Sequence, residues 1–215
     1  MKDRYKLMGH VYDLLSNMYS GRRILHCKES MLDRVRPGDA VLFAGVGHGR
    51  EAIKAAQSGA RVTVVDLSGT MLEKFRKGCE AHTFSHPVRQ VHEDILKVPA
   101  DARYDMVFAN FFLNVFERNQ MDAVVRHLAA LTKPGGYVVV GDFAFPGGNF
   151  WARMIQNLYW YIADTLFYLF TRNAFHEIYN YPEYLKKYGL KIADTRYYPI
   201  FGLNAYWSVL ARKPM

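Results

Sequence analysis

The sequence contains only two cysteines, Cys27 and Cys79, and no C-x-x-C pair. Two thiols without metal-ligand spacing predict reduced side chains in a reducing compartment, and they argue against a disulfide framework. The first residues, 1–5, also lack the uninterrupted apolar core of a signal peptide. We therefore expect a cytoplasmic protein.

Patterns for covalent or metal-dependent catalysis are missing as well. The chain has no S-x-x-K or G-x-S-x-G element, and its eight histidines show no metal-ligand spacing. We therefore expect no covalent catalysis of those types and no bound metal. No internal repeat or low-complexity linker divides the 215 residues, and this length fits one domain with a sizeable core.

Acidic residues are fewer than basic ones, 20 against 28, which gives a net charge of +8. Such an excess permits contact with nucleic acid or with an anionic membrane surface. The basic residues are scattered along the sequence rather than clustered, however, so a soluble basic protein is the simpler interpretation. Peripheral contact with an anionic membrane stays open.

An apolar segment, 41–44, leads directly into Gly45, Gly47 and Gly49. Glycine is needed where the backbone turns with φ > 0 or where a ligand must lie against bare backbone. Alternate glycines after a strand therefore predict a floor for a flat, extended ligand. A dinucleotide-binding fingerprint would need a small residue at the position of Arg50, so the spacing disfavours a nicotinamide cofactor.

Strand-like and helical segments alternate through the middle of the chain. Strands are predicted at 61–65, 88–91 and 105–109, and helices at 51–57 and 120–131. Alternation of this kind predicts a parallel sheet with right-handed crossovers. Within the helix that follows the second strand, Thr70 and Glu73 have the spacing of a capping box.

The C-terminal part follows a different pattern. Two strand-like runs, 190–198 and 205–213, are joined by so short a connection that they must pair antiparallel. The predicted fold is therefore α/β and doubly wound, with a mostly parallel seven-stranded sheet that ends in an antiparallel C-terminal strand.

Several segments resemble, in order, the motifs of class I S-adenosylmethionine-dependent methyltransferases. These segments are the glycine run at 45–49, the second strand ending in Asp66, the segment 91–95, the strand 104–110 and the L-T-K-P-G-G turn into a fifth strand at 131–140. The match covers about residues 40–145. Tyr12 and Tyr19 further resemble an N-terminal motif of ubiquinone- and menaquinone-biosynthesis methyltransferases. The resemblance implies S-adenosylmethionine as the cofactor.

This resemblance divides the chain, a single domain over 1–215, into four parts. They are an N-terminal helical cover over 1–36, a cofactor-binding core over 37–145, an aromatic helical insertion or lid over 146–188, and a C-terminal β-hairpin over 189–215.

The resemblance also implies how the cofactor is held. Gly45, Gly47 and Gly49 would let the backbone approach its methionine and ribose parts. Asp66 lies about 20 residues past the first glycine, at the tip of the second strand, where an acid can accept hydrogen bonds from ribose hydroxyls.

The remaining implied contacts lie farther along the chain. Leu67 would pack near the adenine face, while Asp94 and the backbone of Ile95 would read the adenine edge. Asn110, just past the fourth strand, would meet the methionine end and face the acceptor. The tyrosine pair, Tyr12 and Tyr19, would cover the cofactor, although a helix with core tyrosines explains that segment equally well.

One position departs from the family pattern. Phe43 stands two residues before the first glycine, where the family usually carries an acid that helps to organise the site around the cofactor's amino group. Glu51 or a group from the N-terminal part is a candidate replacement.

Residues 149–171 form an unusually aromatic segment. Arg153 and Asp164 argue against a membrane span, because charges in mid-span are costly. Two interpretations stay open: a buried core helix, or a lid over an apolar acceptor pocket opposite Asn110. For an acceptor that must lose a proton, His176 and Asp142 are the candidate general bases.

We therefore expect methyl transfer to a small, apolar or aromatic acceptor of a quinone-, lipid- or natural-product-like kind. Nucleic acid is not expected as a partner, because the segment 110–113 lacks the two prolines of an N-P-P-Y-like motif. The alternatives are a phospholipid or amine N-methyltransferase at a membrane surface, a non-catalytic cofactor-binding protein, and a quinone-modifying enzyme that uses the same cofactor differently. The acceptor atom and the oligomeric state stay open.

Overall fold

The computed structural model describes residues 22–151, 153–158, 160, 161, 178–200 and 202–215. The helices are α1 (Arg23–Glu29), α2 (Arg50–Gln57), α3 (Gly69–Cys79), α4 (Arg118–Leu131), α5 (the described residues of 150–161) and α6 (Tyr181–Lys187). The strands are β1 (Ala40–Ala44), β2 (Arg61–Asp66), β3 (Arg89–His92), β4 (Tyr104–Asn110), β5 (Thr132–Phe143), β6 (Lys191–Ile200) and β7 (Leu203–Arg212). Short 3-10 helices lie at Leu32–Arg34, Ile95–Lys97 and Leu113–Val115.

The seven strands form one sheet in the order β3-β2-β1-β4-β5-β7-β6. The first five strands are mutually parallel, whereas β7 runs antiparallel to both β5 and β6. This topology confirms the predicted fold class. The parallel strands place their carboxyl ends along one edge of the sheet, where open α/β folds bind ligands.

Helices cover both faces of the sheet. Successive residues of a strand point to opposite faces and pack against different helices. In β1, Leu42 belongs to the buried cluster that includes α4 and α6, while Val41 belongs to the cluster that includes α2 and α3. Both sides of the central strands are buried, as expected for parallel strands. The sheet is therefore a rigid base from which the loops at its carboxyl edge project.

The predicted capping box is wrong in its position. Helix α3 begins at Gly69, and its N-cap is Ser68, whose side chain accepts a hydrogen bond from the Met71 backbone N–H at 3.3 Å. A serine is as good an N-cap as a threonine. The helix starts two residues earlier than the pattern indicated because Asp66 fixes the preceding turn, accepting a hydrogen bond from the Ser68 N–H at 2.8 Å.

Candidate active site

The glycine loop at 45–49 is fastened to the end of β2. The Gly45 N–H donates to the Val65 carbonyl oxygen and the Val46 N–H donates to Asp66 Oδ2, both at 2.8 Å. Asp66 Oδ1 accepts from the Ser68 N–H. Each oxygen of an ionised carboxylate can accept a further hydrogen bond. Asp66 is therefore held at the sheet edge with acceptor capacity left for a ligand.

The three glycines of this loop all have positive φ, +75°, +49° and +65° in order, but their surroundings differ. A side chain on Gly45 would collide with the ring of Phe112, and one on Gly49 with the ring of Phe75. These two glycines are required by packing inside the protein. At Gly47 an added Cβ would meet only Lys28 Nζ, at 3.6 Å, which is an ordinary van der Waals contact and not a collision.

A largely buried ion pair lies beside Gly47, and only one of its two residues was suspected from the sequence. Lys28 Nζ, at the end of α1, is 3.3 Å from Glu51 Oε1 in the first turn of α2, and the two side chains are 17% and 5% exposed. The Lys28 carbonyl oxygen accepts a hydrogen bond from Asn110 Nδ2 at 3.0 Å. Glu51 follows the glycine run closely enough to be suspected, whereas no motif marks Lys28.

Asn110 and the two phenylalanines after it turn the chain away from β4. Asn110 is buried, and among the described residues its Oδ1 has no hydrogen-bond partner. Phe111 has a φ of +50°, a conformation that costs a non-glycine residue about 1–3 kcal/mol and is often found at functional sites. Its N–H donates to the Gly141 carbonyl oxygen at 2.6 Å, so the strained turn is anchored to β5.

The residues assigned to the adenine lie on neighbouring strand ends. Asp66 pairs with His92 in register, so Leu67 and Asp94 follow β2 and β3 side by side. Leu67 is 66% exposed, an unusual position for a leucine. Asp94 accepts a hydrogen bond from the Leu96 N–H at 2.9 Å and caps a 3-10 helix, while Ile95 is buried. The structure thus brings these three residues together at the edge.

Phe43 is part of the core rather than of the ligand edge. Its ring stacks on Phe108 of β4, with the ring centroids 4.8 Å apart. Its side chain is 3% exposed and packs in the cluster of α2 and α3. A carboxylate in this apolar layer would be strongly disfavoured, so the loss of the family's usual acid fits a core that has been filled with aromatic side chains.

An apolar cavity of about 90 Å³ lies farther along the same edge, between the end of β5, helix α5 and the β6–β7 hairpin. Its lining includes Phe143, Ala144, Ile155, Trp160, Ile178 and Ala205. The Phe143 ring contacts the rings of Trp160, Tyr206 and Phe111, with centroid distances of 4.3, 5.1 and 5.8 Å. Phe111 therefore connects the wall of this cavity to Asn110.

Helix α5 is not simply a buried core helix over its described residues. Trp160 is buried against Phe143, but Phe150, Trp151 and Leu158 are each about 60% exposed or more. One side of the helix closes the cavity and the other faces outward. Among the residues described, no helix combines the length and the apolar character needed to cross a membrane.

Asp142, a candidate general base, lies at the end of β5 and is fully buried. Its Oδ2 accepts a hydrogen bond from the Tyr181 hydroxyl at 2.9 Å, and its Oδ1 accepts from the Phe143 N–H at 2.8 Å. Burial, reinforced by the nearby Asp142 carboxylate, raises the pKa of Tyr181 well above its usual value. The catalytic role of Asp142 stays a prediction, since these contacts are internal ones.

Three assigned residues, His176, Tyr12 and Tyr19, lie outside the described part of the chain, as does the part of the aromatic segment at 162–171. Their roles also stay predictions. The described residues thus provide the glycine loop, Asp66, Leu67, Asp94, Ile95 and Asn110 along one edge, with the apolar cavity beyond them.

Comparison with known proteins agrees with this geometry. Residues 41–136 match the family model described as a methyltransferase domain. A demethylmenaquinone methyltransferase from Mycobacterium marinum is 34% identical over 156 residues, which cover 71% of this chain and 60% of that protein. The chain thus spans little more than half the length of this relative.

Two solved structures share the fold at low sequence identity. A 1,6-didemethyltoxoflavin-N1-methyltransferase from Burkholderia thailandensis, with 1,6-didemethyltoxoflavin and S-adenosylhomocysteine bound, has a TM-score of 0.70 and 19% identity, covering 99% of this chain and 87% of that one. A magnesium protoporphyrin IX methyltransferase from Synechocystis, with S-adenosylmethionine bound, has a TM-score of 0.65 and 18% identity over 99% of this chain and 94% of that one. The predicted resemblance is confirmed: residues 41–136 match a methyltransferase domain, and the chain shares the fold of solved S-adenosylmethionine-dependent methyltransferases.

Proposed function

We propose that the protein binds S-adenosylmethionine along the carboxyl edge of β1, β2 and β4 and transfers its methyl group to a small apolar or aromatic acceptor. The observation that carries the proposal is the glycine loop, in which no side chain collides with an added Cβ on Gly47 and the Val46 N–H is bonded to the Asp66 carboxylate, together with an apolar cavity at the end of β5. Polar groups at the ends of β1 and β2 and an apolar cavity suit two substrates of different character.

The residues of the edge fit the parts of the cofactor. Asp66 would accept hydrogen bonds from the ribose hydroxyls, and Leu67 would cover the adenine face. Asp94 and the Ile95 backbone would read the adenine edge, and Asn110 would lie at the methionine end. When bound, the cofactor supplies an electrophilic methyl group on a positively charged sulfur.

The protein's own contribution is orientation and the exclusion of water. Holding two reactants in line contributes up to about 7–11 kcal/mol to lowering the barrier of such a transfer. The buried rings of Phe143 and Tyr206, with Phe111 packed against them, form an apolar enclosure next to Asn110. Aromatic faces also accommodate a cationic centre.

The nature of the acceptor is inferred from the cavity rather than from the fold, because one fold serves many acceptors. Its apolar lining supports an apolar or aromatic molecule, in the class of quinones, lipids or natural products. The relatives named above act on three different compounds, so none of them fixes the acceptor here. An acceptor that must lose a proton would use His176 or Asp142.

Contact with an anionic membrane belongs to the same proposal. Ile155 lines the cavity and is also 47% exposed, and Met154 and Leu158 are exposed on the same helix. The side chain of Ile155 thus links the cavity to an exposed apolar part of α5, where an apolar acceptor would enter from a lipid surface. The net charge of +8 favours such a surface.

Methyl transfer is tested directly by incubating the protein with methyl-labelled S-adenosylmethionine and a panel of hydroquinones, catechols and aromatic amines. We expect label in at least one acceptor, with release of S-adenosylhomocysteine in equal amount. Binding of S-adenosylhomocysteine without transfer to any acceptor would favour the non-catalytic alternative. Tight binding of NADH together with no response to S-adenosylhomocysteine would contradict the proposal.

Replacing Asp66 should weaken the binding of S-adenosylhomocysteine. Asp66→Ala removes an acceptor for the ribose and frees the Val46 and Ser68 N–H groups, so we expect a loss of about 1.5–3 kcal/mol in binding free energy by calorimetry. Asp39→Ala is a matched control, since Asp39 also accepts a backbone N–H, from Arg36 at 2.8 Å, in the turn before β1. Equal effects of the two substitutions would remove Asp66 from the site.

Filling the cavity should separate acceptor binding from cofactor binding. Ala205 borders the cavity at the start of β7, and Ala205→Leu would place a larger apolar side chain there. We expect at least a ~10-fold lower kcat/KM for the best acceptor, since a well-packed site tolerates added volume poorly. The affinity for S-adenosylhomocysteine should not change. An unchanged kcat/KM would show that the acceptor lies elsewhere.

A further inference from the structure

The ion pair formed by the partly buried Lys28 and the buried Glu51 lies next to Gly47 of the glycine loop. Lys28 Nζ is 3.3 Å from Glu51 Oε1 and 3.6 Å from the position that a Cβ on Gly47 would occupy. Asn110 fixes the Lys28 backbone through its 3.0 Å hydrogen bond. A cation and an anion are thus held side by side next to the bare backbone of Gly47.

A second ion pair, between Lys54 and Glu29, already joins the same two helices, α1 and α2. Lys54 Nζ lies 2.5 Å from Glu29 Oε2, with the lysine side chain 54% exposed. This pair already connects α1 to α2 at the surface. Burying another pair carries a desolvation penalty that its mutual attraction does not reliably offset. The buried position of Lys28 and Glu51 is therefore not explained by the need to join these helices.

The chemistry of the pair matches one kind of ligand group. An ammonium has three donors, and an ionised carboxylate has about four acceptor positions, so a single contact between them leaves capacity on both. A zwitterion can add its carboxylate to the lysine and its ammonium to the glutamate, which gives four alternating charges in one cluster. Such charge-assisted hydrogen bonds are among the stronger ones in proteins.

We propose that Lys28 and Glu51 bind the amino-acid end of S-adenosylmethionine, with Lys28 at the α-carboxylate and Glu51 at the α-ammonium group. The assignment rests on the proposed function and names the residues that select a zwitterionic ligand. It also explains why position 43 holds a phenylalanine and no acid. If Glu51 on α2 binds the ammonium group, no acid is needed on β1, and Phe43 can pack in the core.

The test compares two ligands that differ in the amino-acid end. S-adenosylhomocysteine contains it, whereas 5′-deoxy-5′-methylthioadenosine keeps the adenosine and the thioether sulfur and lacks it. Calorimetry with the full chain should show that Lys28→Met lowers the affinity for S-adenosylhomocysteine by roughly 10- to 100-fold. Binding of methylthioadenosine should change less than about two-fold.

Matched variants separate recognition from folding. Lys54→Met breaks the exposed pair on the same helices and should leave both affinities unchanged. Since Lys28→Met leaves Glu51 buried without its partner, the double variant Lys28→Met/Glu51→Gln removes both charges and keeps the side-chain volume. We expect this variant to fold, to bind methylthioadenosine normally and to lose the preference for S-adenosylhomocysteine.

The outcomes distinguish this assignment from the proposed function. If wild-type protein binds S-adenosylhomocysteine and neither Lys28→Met nor the double variant weakens it, the assignment is overturned and the proposed function stands. If a variant loses affinity for S-adenosylhomocysteine and for methylthioadenosine to the same extent, the assignment is also overturned, because a distorted loop would weaken the binding of both ligands. Failure of the wild type to bind either ligand would overturn the two together.

Discussion

A valine at position 47 should abolish measurable binding of S-adenosylhomocysteine while the protein stays folded. An added Cβ meets no atom closer than Lys28 Nζ at 3.6 Å, so the substitution does not disturb the core. The side chain would instead occupy the space in which a ligand approaches the backbone. We expect a loss of at least about 100-fold in affinity, which corresponds to about 2.7 kcal/mol.

Backbone strain has to be separated from this effect. Gly47 has a φ of +49°, and a β-branched residue in that region destabilises the fold by roughly 1–2 kcal/mol. Gly189→Val provides the control, because Gly189 has a φ of +79°, has no atom within 4 Å of an added Cβ and follows α6, away from the glycine loop. Both variants should melt a few degrees lower than the wild type, and only Gly47→Val should lose the ligand.

A substitution at Gly49 should affect folding, in contrast to the one at Gly47, which should affect ligand binding. A side chain there collides with the ring of Phe75 in the core, so Gly49→Val should unfold or strongly destabilise the protein. If Gly47→Val folds and binds S-adenosylhomocysteine with unchanged affinity, the glycine loop does not form the floor of the site.

The strand directions and the ligand edge were predictable because they depend on local pattern. Alternating segments require parallel strands, and the short connection after 190–198 requires an antiparallel pair. Asp66 and Asp94 were placed correctly at neighbouring strand ends because Asp66 ends β2 and Asp94 comes two residues after β3. These inferences need only residues that are close in sequence.

The contributions that were missed depend on residues distant in sequence. The pattern assigns the same ligand role to Gly45, Gly47 and Gly49, yet the structure shows that Phe112 and Phe75 explain two of them. Lys28 reaches the glycine loop because α1 packs against β5, β6 and β7, where Cys27 Sγ donates to the Trp207 carbonyl oxygen. The role of Phe43 depends on Phe108, which stacks on it from the neighbouring strand β4. Such pairings are set by tertiary packing, which no local motif encodes.

Asp142→Ala should destabilise the protein by about 2–6 kcal/mol, whatever its effect on turnover. The Tyr181 hydroxyl and the Phe143 N–H would each lose their acceptor in a buried place, and every unsatisfied buried group costs about 1–3 kcal/mol. Tyr181→Phe removes a single donor and should cost about 1–2 kcal/mol. Urea or thermal unfolding followed by circular dichroism measures both values.

The same hydroxyl predicts a dependence of stability on alkaline pH. Burial and the Asp142 carboxylate raise the pKa of Tyr181 in the folded state, so the unfolded chain releases this proton first. The stabilisation is complete below the unfolded value of about 10 and is lost as the pH rises above it. Tyr181→Phe should show a smaller loss of unfolding free energy between pH 9 and pH 11, at roughly constant ionic strength.

Comparison of unfolding with turnover then decides what Asp142 does. Asp142→Asn keeps one acceptor oxygen and nearly the same volume, so the folded protein should remain available for assay. If Asp142 is the general base, this variant should turn over about 10²–10⁴-fold more slowly and still bind S-adenosylhomocysteine normally. If Asp142 only holds Tyr181 against the end of β5, Asp142→Asn and Tyr181→Phe should have similar, modest effects on turnover. The proton acceptor would then have to be sought at His176, for which His176→Ala gives the matching measurement.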